Sequence, residues 1–401
     1  VTEDLDDPLS GLDDVPWARL GHSYGTADDV PGYLRAMRAG DSEGRHPPSA
    51  LLANRIVHQG SRSEAAVHAV PFLVRMALDP RLVDRHRFVG LLTAIAIGLD
   101  NNHLPNGYDP REDREHLETV RGQADEWDQW IAEAADEEER NGRAETCRQL
   151  LIDAEAAVSC YDAVRDALPA LAVLLTSSDP ELRANTANLF ARFPECAVTS
   201  IPLLTAFVTE EVSPGAAATG VVALGLLGDP AAVPFVESHL GSPVVELRWA
   251  SAFALTRLGI ATATVVDVLV EAVARPPEEA VTMSFLGGSY RRLAMLALAG
   301  TPAATTLRAV DAGLVGLAEG AGAVRSYDRY DMAQHLFALV FPGEPVEPPQ
   351  SFGELSEVQR HLLWFLADRD DAACFSGACD ALRRWQLPTG PTGLRAYVGS
   401  V

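Results

Sequence analysis

Between Leu168 and Gly259 the apolar positions fall in blocks of helical length, and the blocks repeat. Three successive copies read LPALAVLLTSSDPELRANTANLFARFP, IPLLTAFVTEEVSPGAAATGVVALGLLG and VPFVESHLGSPVVELRWASAFALTRLG. Each has a Pro-led apolar run, a turn, and a second run rich in Ala and Leu. The leading prolines, Pro169, Pro202 and Pro234, stand 33 and 32 residues apart. A two-helix unit of that period predicts an α-solenoid. One such pair cannot bury both faces of its helices alone, so copies must stack.

The flanks depart from this period. Residues 1–15 carry Glu3, Asp4, Asp6, Asp7, Asp13 and Asp14 with Pro8 and Gly11, and read as a flexible acidic lead-in. Residues 16–100 predict N-terminal helical repeats, with a helix near Val30–Ala39, a second ending at Gly60 and a third that Ser63 can cap. Pro71 within that third run predicts a kink or a break. Residues 101–146 predict a loop (NNHLPNGYDPREDRE) and then an acidic helical insertion with Trp127, Trp130 and Ile131 on one side. The array is expected over 147–341, a linker over 342–350 (PGEPVEPPQ) and a helical cap over 351–401. That cap opens on Ser356-x-x-Gln359, a capping box.

Composition narrows the functional classes. No apolar run reaches the roughly 18 residues of a membrane span. The acidic start is unlike a signal peptide, so a cytoplasmic protein is expected. Five scattered cysteines suit reduced thiols rather than a disulfide framework. Lysine is absent altogether. No Schiff-base or P-loop lysine can therefore exist. The net charge of −24 opposes binding to phosphate backbones and favours a basic protein partner. Nucleic acid and membrane are not expected partners.

The runs DPELR, ELRWA, LGLLGDPAAVPFV and ALTRLG resemble HEAT-like repeats of the phycobilin-lyase type. WARLGHSYG, VHQGSRSEA and SFGELSEVQR are similar to uncharacterised bacterial proteins with that layout. The resemblance implies an all-α solenoid, or superhelix, of HEAT-like helix pairs with helical N- and C-terminal caps, and implies little about function.

Motifs of catalysis are few. Gly21-His22-Ser23-Tyr24-Gly25 matches G-x-S-x-G, but no strand is predicted before it, and that chemistry needs a strand–turn–helix elbow. The chain has no His-Glu dipeptide, which excludes the iron site of HEAT-repeat hydroxylases. No cofactor, metal site or catalytic set is expected. Arg183 and Arg248 occupy like positions near the start of second helices; the preferred reading has them bonding turn groups of an adjacent repeat as an internal ladder. Trp249 is open to either a core or a concave-face role. The long loop 276–288 leads into Tyr290 and Arg291. Trp17, His22, Tyr24, His58, Gln59 and Arg62 form an N-terminal polar-aromatic group of the types found at binding sites. All these residues are candidates for partner contact. The expected function is a non-enzymatic protein-interaction module using the concave face of the array, an adaptor or immunity-type protein for a basic partner. The alternative is an enzyme on the same scaffold, lyase-like or acting on a DNA base.

Overall fold

The computed structural model describes residues 7–40, 47–276, 282–301, 307–319, 326–369 and 371–399. The fold is all-α, with helices packed in succession on their neighbours as in a solenoid. Two compact units divide the chain, Val1–Phe207 and Val208–Val401.

In the first unit α1 is Val30–Arg38, α2 Pro48–Ile56, α3 Glu64–Leu78 and α4 Arg85–Ile97. Two short antiparallel hairpins accompany them: β1 (Gly21–His22) with β2 (Gly25–Thr26) ahead of α1, and β3 (Val57–His58) with β4 (Ser61–Arg62) between α2 and α3. Helices α5 (Pro110–Gly122), α6 (Ala124–Ala132), α7 (Glu137–Leu171) and α8 (Pro180–Phe190) follow. The 35 residues of α7 span about 50 Å at the rise of an α-helix. Helices α3, α4, α5 and α6 all pack on it.

Several expectations change here. Leu9 and Leu12 are buried, and Arg75 donates to the carbonyls of Pro8 and Ser10 at 2.9 Å each. Residues 7–14 are therefore packed rather than a flexible lead-in. Helix α3 runs unbroken through Pro71. The lost hydrogen bond costs on the order of 3 kcal/mol, and eight buried side chains, among them Val70, Phe72 and Leu73, offset it. The insertion boundary drawn at 146 falls inside α7, as does Pro169, so the first helix of the first repeat is the end of a much longer one.

Helix α9 is Ala197–Glu210, and the division between the units falls within it. The second unit holds α10 (Pro214–Leu226), α11 (Val233–Ser238), α12 (Val245–Arg257), α13 (Ala263–Ala274), α14 (Tyr290–Ala299), α15 (Leu307–Glu319), α16 (Ser326–Val340), α17 (Glu357–Ala367), α18 (Ala372–Arg384) and α19 (Pro391–Val398). Helix α10 packs on α12, α12 on α14, α14 on α16 and α16 on α18, while α13, α15, α17 and α19 form a second row. Every residue of α10 from Gly215 to Leu226 is buried, as expected of a helix enclosed on all sides. The expected cap therefore continues the two rows.

Local chemistry sets the turns. Asp109, Asp179 and Asp229 each precede a proline and accept from the N–H two residues on, at 3.0, 2.9 and 2.9 Å. This is N-capping with Pro in the first turn. The capping box at Ser356 and Gln359 is formed.

His335, in α16, sits where burial holds its imidazole below the usual range; Asp331 opposes this and Arg292 adds to it. The native state thus favours the neutral ring, while the unfolded chain takes up a proton near pH 6.5. Stability is expected to fall as pH drops through about 6.5, and His335→Gln should flatten that part of a urea-midpoint profile between pH 7.5 and 5.5. An unchanged slope in the variant would assign the dependence elsewhere.

Candidate functional site

The two hairpins bring part of the N-terminal group together. Gln59 and Gly60 adopt φ of 51° and 94°, the left-handed pair that a two-residue hairpin turn requires. A Cβ on Gly98 would lie 2.5 Å from the Gly60 carbonyl oxygen, so this hairpin rests directly on the end of α4. On the other hairpin Tyr24 projects, 53% exposed. Its hydroxyl lies 3.3 Å from His58 Nδ1 and accepts from Asn54 Nδ2 at 3.1 Å. Arg55 lies over its ring at 4.9 Å and pairs through Nε with Asp29 at 3.1 Å. The other Asp29 oxygen meets His22 Nε2 at 2.9 Å.

His22 Nδ1 accepts the Tyr24 N–H at 3.0 Å, which places the ring proton on Nε2, toward Asp29. Both imidazole nitrogens are therefore engaged, and neither faces a serine hydroxyl. The G-x-S-x-G match lies at the tip of an antiparallel hairpin, not on a strand-to-helix elbow. It carries no nucleophile geometry. Asp29, Asn54 and Arg55 complete the cluster and were not singled out in the sequence. Asn54 sits four residues before His58, the only sequence hint to its place.

Trp17 and Arg62 lie elsewhere. Trp17 is buried, its indole donating to the Leu12 carbonyl at 2.8 Å, with its ring against His68 and Phe72. Arg62 turns inward. It donates to the Ala96 carbonyl at 2.9 Å and the Tyr108 hydroxyl at 3.3 Å, and pairs with Asp113 at 2.9 Å. This ties the second hairpin to the first helix of the acidic insertion. An aromatic series runs on from it: Tyr108 to Tyr161 at 5.0 Å, then Tyr161 to Phe193 at 4.8 Å. Burial beside this series pushes the Cys160 thiol up to about 12, and all five cysteines are free.

In the array, Arg183 donates to the Ser177 carbonyl at 2.6 Å and Arg248 to the Ser242 carbonyl at 2.9 Å. Both reach back six residues to the turn of their own repeat, and Arg248 also approaches Glu271 at 3.7 Å. The equivalence seen in the sequence is real: each Arg braces a turn carbonyl of its own repeat, and Arg248 also reaches the carboxylate of the next helix. Further ion pairs between neighbouring helices occur at Arg292–Asp331 and Arg329–Asp371. Trp249 and Tyr290 are core residues, 4% and 2% exposed, with ring centroids 5.9 Å apart. Neither the indole N–H nor the phenol finds a hydrogen-bond partner among the described residues. Arg291 donates to the Gly316 carbonyl at 3.3 Å. Residues 277–281 of the expected loop lie outside the described residues. From 282 onward the segment is pinned: Thr282 Oγ1 lies 3.1 Å from Ser213 Oγ, and Met283 and Phe285 are buried. The described part of this segment packs inward.

The acidic insertion presents a large exposed charged surface. Residues 101–146 hold fourteen carboxylates against five arginines. Helix α6 buries none of its residues. Trp130 is 41% exposed, with Arg143 over its ring at 4.9 Å, while Trp127 packs against the small core of Leu117, Val120 and Ala154. Asp109, Asp113, Glu118 and Glu139 have arginine partners. Asp125, Glu126, Asp128, Glu137 and Glu138 have none among the described residues, and all five are exposed.

No protein-family model and no curated protein matches the chain. Among solved structures, a crystal structure of an engineered protein aligns with 90% of this chain and 89% of its own, at 17% identity and a TM-score of 0.32. A likeness that low carries no argument about fold or function. Among the described residues no helix is long and apolar enough to cross a membrane.

Proposed function

We propose that this chain is a non-enzymatic protein-interaction module, of adaptor or immunity type, that binds a basic protein through its acidic insertion. The observation that carries the reading is the set of five unpaired, exposed carboxylates on α6 and the start of α7, beside the exposed Trp130. Carboxylates without internal partners keep their field available to an approaching cationic surface. A tryptophan at the same place supplies the large, rigid contact area typical of binding hot spots. The arrangement replaces the Arg248–Trp249 region as the working surface, because those side chains are engaged or buried within the second unit.

The test is capture of partners from lysate of the cells that make the chain, repeated across a salt series. Between 50 and 500 mM salt, retention of a basic partner should fall by about tenfold or more as the charges are screened. Asp125→Arg/Asp128→Arg should abolish capture at low salt, while Arg248→Glu should leave it intact. Salt-insensitive capture, or loss with Arg248→Glu alone, would refute this reading.

A further inference from the structure

A second, chemically different surface lies in the second unit. Helices α15, α17 and α19 border an open groove of about 920 Å³, within the roughly 300–1,000 Å³ usual for small-molecule sites. Leu314 from α15 and Ala367 at the end of α17 are buried beneath it. Trp364 lines it and is 59% exposed, with its ring stacked on buried Phe352 at a centroid distance of 6.1 Å. An indole braced on one side and left uncovered elsewhere is a rigid apolar platform.

Three polar side chains reach the groove: His361, Asp368 and Arg395. His361 is engaged by Asp311 of α15 at 3.0 Å. Asp368 and Arg395 are exposed, and among the described residues neither has an ion-pair partner, in the other or elsewhere. Arg395 makes one hydrogen bond, from Nε to the Ala367 carbonyl at 2.9 Å, which satisfies the last turn of α17. That bond fixes the guanidinium beside the residue that precedes Asp368 and leaves its two terminal nitrogens open. The two unmatched charges, opposite in sign, therefore enter the groove close to one another.

Those charges say what belongs there. A simple anion would meet Arg395 but be repelled by Asp368, and a simple cation would meet the reverse. Phe365, the other aromatic side chain at the groove, already has the Arg369 guanidinium over its ring at 4.3 Å, so an aromatic seat for a cation alone is taken. A ligand carrying both charges close together satisfies both side chains. An apolar substituent on it then lies against Trp364 and Leu314.

We propose that this groove binds a free α-amino acid with a bulky apolar side chain, its carboxylate on Arg395, its ammonium on Asp368 and its side chain against Trp364. A residue within a peptide carries neither main-chain charge, and a chain end carries one. The site is independent of the acidic insertion, and either can fail without the other.

Isothermal titration of the full chain tests it, with L-phenylalanine, N-acetyl-L-phenylalanine and L-phenylalaninamide as probes. At about pH 6, below the range of α-amino groups, the first carries both charges, the second only the carboxylate and the third only the ammonium. Phenylalanine should bind saturably, one to one, and each derivative should bind about two- to fivefold more weakly, the scale of one exposed ion pair. Asp368→Asn removes no side-chain bond among the described residues and so keeps the fold, which circular dichroism verifies. It should erase the preference for phenylalanine over its N-acetyl form and keep the preference over the amide, while Arg395→Gln does the converse. Trp364→Ala should weaken binding of phenylalanine about tenfold, as loss of an aromatic anchor does. Absence of saturable phenylalanine binding overturns the proposal. So do equal affinities for the three probes, an Asp368→Asn chain that keeps both preferences, or a Trp364→Ala chain that binds as the parent does.

Discussion

Replacing Arg62 with Met is expected to cost about 3 kcal/mol of stability, the scale for removing one member of a buried ion pair. The Arg62 side chain is only 10% exposed. It satisfies the Ala96 carbonyl, the Tyr108 hydroxyl and the Asp113 carboxylate at once. Met fills similar space but takes away the cation that faces the half-buried Asp113 carboxylate, leaving it the Tyr108 hydroxyl and partial contact with water. A loss below about 1 kcal/mol in urea unfolding would place Arg62 among ordinary surface pairs. The double variant Arg62→Met/Asp113→Leu should recover part of the loss, because it removes the stranded charge. Since Arg62 joins the second hairpin to α5, the single variant should also weaken protection of α5 and α6 in hydrogen exchange before that of α10 and α12.

Gly225→Leu is expected to be at least as damaging, in the other unit. A Cβ at Gly225 would lie 2.5 Å from Ala254 Cα and 2.6 Å from its Cβ. The first of these is backbone and cannot rotate away. Helix α10 must then move off α12, which opens the packing around a helix buried from Gly215 to Leu226. Even Gly225→Ala should lose about 1–3 kcal/mol by overpacking, despite the gain of about 1 kcal/mol that Ala ordinarily brings to a helix. Gly142 is the control: it lies on an exposed turn of α7 with nothing within 4 Å of an added Cβ. Gly142→Ala should therefore stabilise. Urea midpoints that move the same way for both alanine variants would contradict the packing argument.

The array was readable from the sequence because proline, Asp-Pro and glycine act locally. Pro180 and Pro230 begin helical turns beside Asp caps, and such signals do not depend on distant contacts. Helix α7 was less readable: Pro169 looks like the head of a repeat, yet the packing of Tyr161, Val164 and Leu168 carries the helix through it. The hairpins escaped notice because strands of two residues have no periodicity to detect. Trp249 illustrates a different loss. Residues 249–255 are all buried, so the helix has no polar face to show which way the indole points. His22, Tyr24 and His58 stand out in the sequence as polar and aromatic residue types, and they lie together in the fold. Asp29 and Arg55, which join His22 to Tyr24, became visible only through distances in space.

The exposed carboxylates of the insertion are the other feature legible in advance, since unpaired charge density follows directly from counting. Their use is the central claim, and the absence of lysine makes it directly measurable. Zero-length carbodiimide coupling joins carboxylates to lysine amines, and this chain supplies no lysine. Every link from a carboxylate of this chain to a lysine therefore reports contact with another protein. Applied to a captured complex, the account predicts links from Asp125, Glu126, Asp128, Glu137 and Glu138 to lysines of a basic partner, lost in Asp125→Arg/Asp128→Arg. Links confined to carboxylates of the second unit, with none from residues 109–145, would contradict it.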